Sequence, residues 1–139
     1  MELTRRSDYA CRIIRAAYES KDAYISVSEV AEKENIPYAF ARSIQHDLVG
    51  AGLLKTIRGA RGGLALACDT STTTVLEVLE ALQGPLMMSP CAENSSYCEK
   101  CTQCEFRGIW KQADSLLRKY FDSITLDDLF ADDASKAEA

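Results

Sequence analysis

Few folds accept two short amphipathic helices joined by a tight turn and followed at once by a glycine-rich hairpin, and residues 26–67 read in that order. Ser26-Val27-Ser28-Glu29 has the S-x-x-E form of a capping box, in which a hydroxyl and a carboxylate satisfy free N–H groups of a first helical turn. It predicts a helix over about residues 27–33, with Val27, Val30 and Ala31 inward. Glu34-Asn35-Ile36 supplies the turn, because asparagine tolerates left-handed backbone, and Pro37 suits the first turn of the next helix. That helix runs to about residue 49, burying Phe40, Ala41, Ile44 and Leu48, until Gly50 and Gly52 stop it. Residues 53–58 and 64–67 are strand-like around Gly59-Ala60-Arg61-Gly62-Gly63, a hairpin whose tip carries arginine. A helix-turn-helix with such a wing makes the expected fold mainly α.

In this arrangement the second helix reads the major groove of double-stranded DNA with its outward residues Tyr38, Ala39, Arg42, Ser43, Gln45 and His46. An arginine there suits the bidentate guanine edge, and Arg58 and Arg61 on the wing suit phosphates or the minor groove. Arg5, Arg6 and Lys55 are further phosphate candidates, with plain solvated surface as the alternative. His46 is the only histidine, and no Ser/His/Asp set or phosphate-cradling loop stands out, so no enzyme is expected.

The formal charge of −5 argues against nucleic acid only if taken whole. Residues 1–68 carry ten Lys/Arg against eight Asp/Glu, and residues 69–139 six against thirteen, so the balance is +2 and then −7. A basic face on the first half is compatible with DNA. With no long apolar run and no signal-like start, the expected setting is cytoplasmic, without membrane, where cysteine clusters lean to metal or redox chemistry.

Thr4 or Ser7 caps a first helix whose apolar face is Ala10, Ile13, Ile14, Ala17 and Tyr18. Cys11 in that helix and Cys68 after the wing read as core filler. Thr74-Val75-Leu76-Glu77 is a second capping box, opening a helix that Gly84-Pro85 ends.

Four of the six cysteines then fall in one aperiodic stretch, Cys91, Cys98, Cys101 and Cys104, spaced C-x6-C-x2-C-x2-C. Soft thiolates suit an iron–sulfur cluster and zinc alike, and the same thiols without metal would make a redox switch. The last three cysteines have the spacing of a ferredoxin cluster completed by a remote cysteine, which makes Cys101 a candidate fourth ligand. Zinc ribbons use two close pairs instead. An iron–sulfur cluster is the preferred cofactor, 4Fe–4S ahead of 2Fe–2S, with zinc or none as alternatives.

Phe106, Trp110, Ala113, Leu117, Tyr120 and Ile124 recur at alternating four- and three-residue steps, a coiled-coil-like seam on a long helix. With little else to cover it, the seam points to a homodimer. The expected organisation is residues 1–84 for the DNA-binding region, 85–105 for the cysteine loop, 106–126 for the dimerisation helix and 127–139 for an acidic flexible tail.

Leu3-Thr4, Asp8-Tyr9-Ala10, Arg58-Gly59-Ala60-Arg61-Gly62-Gly63 with Leu66, and the cysteine loop ending at Trp110 together resemble the Rrf-two family of bacterial transcription regulators. The resemblance implies a dimeric winged-helix regulator, with Ala39 and Arg42 near the bases. It also implies that Cys91, Cys98 and Cys104 hold a cluster that senses redox state, nitric oxide or iron and cluster status. Some relatives place a histidine ligand where Arg107 stands, and a permanently protonated guanidinium cannot replace it. Others use an acidic or histidine side chain near the first helix of the partner subunit, which makes Asp8 the alternative fourth ligand. A cluster-free thiol or zinc regulator of the same fold, and a metal-binding scaffold without DNA, are the competing readings.

Overall fold

The computed structural model describes residues 2–21 and 23–131. At its centre is α1 (Arg5–Glu19), started by Thr4, whose hydroxyl accepts the Ser7 N–H at 3.1 Å. Its face Ala10, Ile13, Ile14 and Ala17 is buried, as helical periodicity requires. Around it pack α3 (Tyr38–Gly50), α4 (Val75–Gln83) and β2 (Gly63–Leu66).

The helix-turn-helix forms as expected. Ser26 caps α2 (Val27–Lys33) by accepting the Glu29 N–H at 3.1 Å, and Asn35 takes positive φ, 54°, in the turn. Pro37 is the N-cap of α3 and offers no side-chain bond. Ala41, Ile44 and Leu48 of α3 are buried, but Phe40 is 47% exposed, a departure from the expected core. The three buried residues fall within one narrow arc of the helix and Phe40 at its rim, where it rests against Tyr9 with ring centroids 6.2 Å apart.

β1 (Leu54–Ile57) pairs antiparallel with β2, Leu54 opposite Leu66 and Ile57 opposite Gly63. An added bridge joins Ile25 to Leu64, tying the wing's return strand to the segment before α2. The approach is close enough that a Cβ on Gly63 would lie 2.2 Å from the Ile25 carbonyl oxygen. Glycine there serves backbone contact as much as turning.

Thr74 and Glu77 complete a reciprocal capping box at α4, with Thr74 N donating to Glu77 Oε2 at 2.7 Å. The cysteine loop carries more structure than its sequence suggests. A short helix α5 (Pro90–Glu93) and a 3-10 turn (Cys101–Gln103) interrupt it.

The long helix α6 (Glu105–Asp122) stops short of residue 126. The backbone then crosses the start of α4, with Val75 N donating to Ile124 O and Leu126 N to Thr73 O, each at 2.9 Å. It ends in α7 (Leu126–Ala131). This corrects the expected tail over residues 127–131. Leu126 is fully buried in the central core, Phe130 packs on Tyr18 at 5.0 Å, and the Tyr18 hydroxyl donates to Asp127 at 3.0 Å. The rest of that expected tail, residues 132–139, lies outside the described residues. Ile124 is corrected too, because it belongs to the crossing rather than to a helical seam.

Candidate nucleic-acid interface and cysteine loop

The outward side of α3 and the wing enclose one open concavity of about 1070 Å³. Tyr38, Ala39, Arg42, Ser43, Gln45 and His46 line it from α3, and Arg58 lines it from the wing. Arg61 stands apart, exposed at the wing tip. The Tyr38 hydroxyl lies 3.5 Å from Arg42 Nη1, which holds the guanidinium loosely. A helix face and a hairpin thus bound one trough, with Arg42, Arg58 and His46 in its lining.

Sequence reasoning missed Asp47, which lines the same groove. Its carboxylate is paired with Arg6, Nη2 to Oδ2 at 2.5 Å, and the same guanidinium reaches Ser43 Oγ at 3.4 Å. Arg6, a phosphate candidate in the sequence, therefore neutralises an acidic residue of the groove. The available signal was spacing, since Asp47 sits one turn beyond Ser43, but its sign argued against looking.

The four loop cysteines are free thiols in different settings. Cys91 is the second residue of α5, with Sγ 3.2 Å from Ser89 Oγ, and Arg107 Nε donates to the Cys91 carbonyl at 2.6 Å. Cys98 is exposed, whereas Cys101 is buried on the 3-10 turn with Sγ 3.9 Å from the Asn94 carbonyl. Cys104, half-buried, is the N-cap of α6. Among the described residues no three His, Cys, Asp or Glu side chains converge as metal ligands. The donor set nevertheless fits a soft metal or cluster chemically, being four unbridged thiols on one short loop. Asp8 is not free: it pairs with Arg12 at 2.8 Å within α1. Of the other two thiols, Cys11 is pushed up to about 11, first by burial and then by the nearby Asp8 charge, which makes it inert.

The loop is tethered at its start. Leu86 N donates to Glu80 Oε1 at 3.2 Å, Met88 N to Asp114 Oδ1 at 2.5 Å, and Arg118 pairs with the same Glu80. It thereby joins α4 to α6.

On α6 the apolar stripe differs from the expected seam. Phe106, Ile109, Leu116 and Tyr120 are each 55% exposed or more, while Trp110, Ala113 and Leu117 are half-buried. Phe106, Ala113 and Tyr120 lie seven apart, as do Ile109 and Leu116, so the outward heptad takes its three-residue step first. Trp110 stacks on Phe106 with centroids 5.9 Å apart. No described helix is long and apolar enough to cross a membrane.

Comparison with known proteins bears on this arrangement. The Rrf2 family, described as iron-dependent transcriptional regulator, matches residues 3–132. The HTH-type transcriptional regulator IscR of Vibrio vulnificus is 25% identical over 133 residues, covering 95% of this chain and 79% of that protein. T. potens IscR superposes with a TM-score of 0.79 at 21% identity over 100% of this chain and 92% of that one. The B. subtilis global cysteine regulator CymR gives 0.77 at 23% identity, over 94% and 97%. At such identities the two structures speak to the fold, and both share it. The relatives are transcriptional regulators rather than enzymes. With its winged helix-turn-helix and a match over nearly its whole length, the chain belongs to the Rrf2 family of DNA-binding transcriptional regulators.

Proposed function

We propose that this regulator acts as a homodimer whose affinity for an operator is set by an iron–sulfur cluster on the cysteine loop. The observation that carries the reading is the position of that loop. It holds four free thiols and hangs by Glu80 and Asp114 between α4, which packs on α1 and α3, and the apolar stripe of α6.

Cys91, Cys98 and Cys104 would hold the cluster, with Cys101 or the partner subunit's Asp8 as fourth ligand. When bound, the cluster supplies a centre sensitive to oxidants, nitric oxide or iron supply. The chain's own residues supply the coupling. Arg107 fixes the Cys91 carbonyl to the first turn of α6, and Glu80 and Asp114 fix the backbone ahead of it. Gathering Cys98 and Cys104 toward Cys91 would therefore pull on both helices. Through α4 the strain reaches α3, and a sensor works only if operator affinity differs between the two states.

Arg42, Arg58 and Arg61 would bind the operator, joined by Tyr38, Ala39, Ser43, Gln45 and His46. Dimerisation would use Trp110, Ala113, Leu117 and Tyr120 together with Ile109 and Leu116. Residues 1–84 and α7 form the DNA-binding body in this reading, with the loop and α6 as sensor and dimer arm.

An absorption spectrum of anaerobically purified protein tests it, with iron, sulfide and zinc assayed on the same sample. Matched iron and sulfide with a broad visible band, and tighter operator binding in one state, are expected. Equal affinity of loaded and stripped protein for one operator would sink the sensing role. The second reading is a thiol switch without metal, favoured by the exposure of Cys98, which an oxidant can reach directly. Colourless, metal-free protein whose operator binding changes on thiol oxidation would establish it.

A further inference from the structure

Between α5 and α6 lies a second cavity, about 240 Å³, lined by Glu93, Lys111, Asp114, Ser115 and Arg118. Asp114 is 5% exposed, and its Oδ2 has no hydrogen-bond partner, the only such buried side-chain oxygen or nitrogen among the described residues. Buried carboxylate oxygens are ordinarily satisfied, so an orphan in a cavity wall marks a missing partner that donates. Glu93 and Lys111, both exposed, make no ion pair among the described residues. The lining carries two carboxylates and two cations, a formal charge of zero, with Arg118 also shared with Glu80 outside the cavity and Lys111 left as the cation unshared among the described residues.

A bare cation would face Lys111 and Arg118, and a bare anion would face Glu93 and Asp114. A molecule with both signs meets each with its complement. The volume is below the roughly 300–1,000 Å³ of pockets for drug-sized ligands, which favours a small one.

We propose that this cavity binds a zwitterion of α-amino-acid size. Its ammonium would donate to Asp114 Oδ2 and Glu93, and its carboxylate would accept from Lys111, Ser115 and Arg118. Glu93 follows Cys91 on α5, so the ligand would clamp the cysteine loop to α6. The inference does not depend on whether the loop carries a cluster.

Calorimetric titration of the full chain tests it, with L-serine as probe and ethanolamine and 3-hydroxypropionate as its one-charge halves. One saturable site per chain is expected for L-serine, with each half bound at least about tenfold more weakly. Asp114→Asn keeps an oxygen for the Met88 N–H and turns the orphan into a donor, which should abolish binding. Lys111→Met, at an exposed position, should weaken it from the other end without unfolding the chain, as a thermal melt would verify. No saturable L-serine binding overturns the proposal. So does equal binding of ethanolamine, which means a cation site, or of 3-hydroxypropionate, which means an anion site. Binding kept in Asp114→Asn but lost in Cys98→Ser would assign the heat to the thiols and also overturn it.

Discussion

The body built on α1 and the arm built on α6 solve the burial problem in opposite ways. In the body, Ile13, Ile14, Val30, Ile44, Leu48, Leu54, Leu64 and Leu126 from six elements meet in one sealed core. In the arm, α6 buries only Asp114 fully, and Phe106, Ile109, Leu116 and Tyr120 face outward. A helix with such a face gains its stability from what covers it. The body is therefore self-sufficient, whereas the arm leaves an apolar face that the proposed dimer would cover.

The largest expected effect separates the two regions directly. Ile44→Ala should destabilise the chain by about 2–5 kcal/mol, since it empties a fully buried site at the junction of α3 and α1. Leu116→Ala, outward on α6, should change the stability of the isolated chain by no more than about 0.5 kcal/mol, yet loosen self-association. Denaturant melts at several protein concentrations check both. A concentration-independent melt for Leu116→Ala and the unaltered chain alike would break the comparison.

Next in size is the wing. Gly63→Ala places a methyl 2.2 Å from the Ile25 carbonyl, so backbone must move and the Ile25–Leu64 bridge must open. Overpacking of this kind costs about 1–3 kcal/mol. The loss should be seen in thermal melts, and more strongly in operator binding, because the displaced hairpin carries Arg58. Unchanged stability would mean that the wing gives way freely and belongs with the arm rather than the body.

Thr74 joins the regions, and its effect is smaller. Its hydroxyl caps α4 and accepts from Glu77 N at 3.4 Å, and it also donates to Asp122 at 3.2 Å, the last residue of α6. Thr74→Ala should cost about 0.5–2 kcal/mol as a lost cap. Hydrogen exchange should show the loss at both the start of α4 and the end of α6. A loss confined to α4 would show that the two regions unfold independently.

How far the sequence could be read follows the same division. Capping chemistry is local, so Ser26, Thr74 and Asn35 announced their turns and helix starts, and the glycines announced the wing. The core face of α1 followed from periodicity alone. The misreadings lie where tertiary contact decides. Ile124 continues the helical spacing in the sequence, but crossing α4 gives its carbonyl the Val75 N–H and gives Leu126 N the Thr73 carbonyl. Acidic α7 looked like a tail because Phe130 gains its packing from Tyr18 on the distant α1. On α6 two heptad registers fit the sequence about equally, and only the side facing solvent chose between them. The thiols were legible as chemistry, while their arrangement, Cys101 in and Cys98 out, depends on a loop with no periodicity to follow.

The smallest effect on stability tests whether function within the body follows its folding. Arg6 and Asp47 form an ion pair about two-fifths exposed, and such pairs contribute about 0–1 kcal/mol. Arg6→Ala should thus barely move the melting temperature. It leaves the Asp47 carboxylate without a counter-charge in the groove that Arg42 and Arg58 line, facing phosphates of the same sign. Operator affinity should fall severalfold or more at low salt and recover toward the original as salt screens the repulsion. If Arg6 instead binds a phosphate itself, its loss should lower the salt slope by about one, and adding Asp47→Asn should restore nothing. If it acts by neutralising Asp47, the double variant should regain most of the affinity that Arg6→Ala loses. Fluorescence anisotropy across a salt series distinguishes the two, with stability held constant as the internal control.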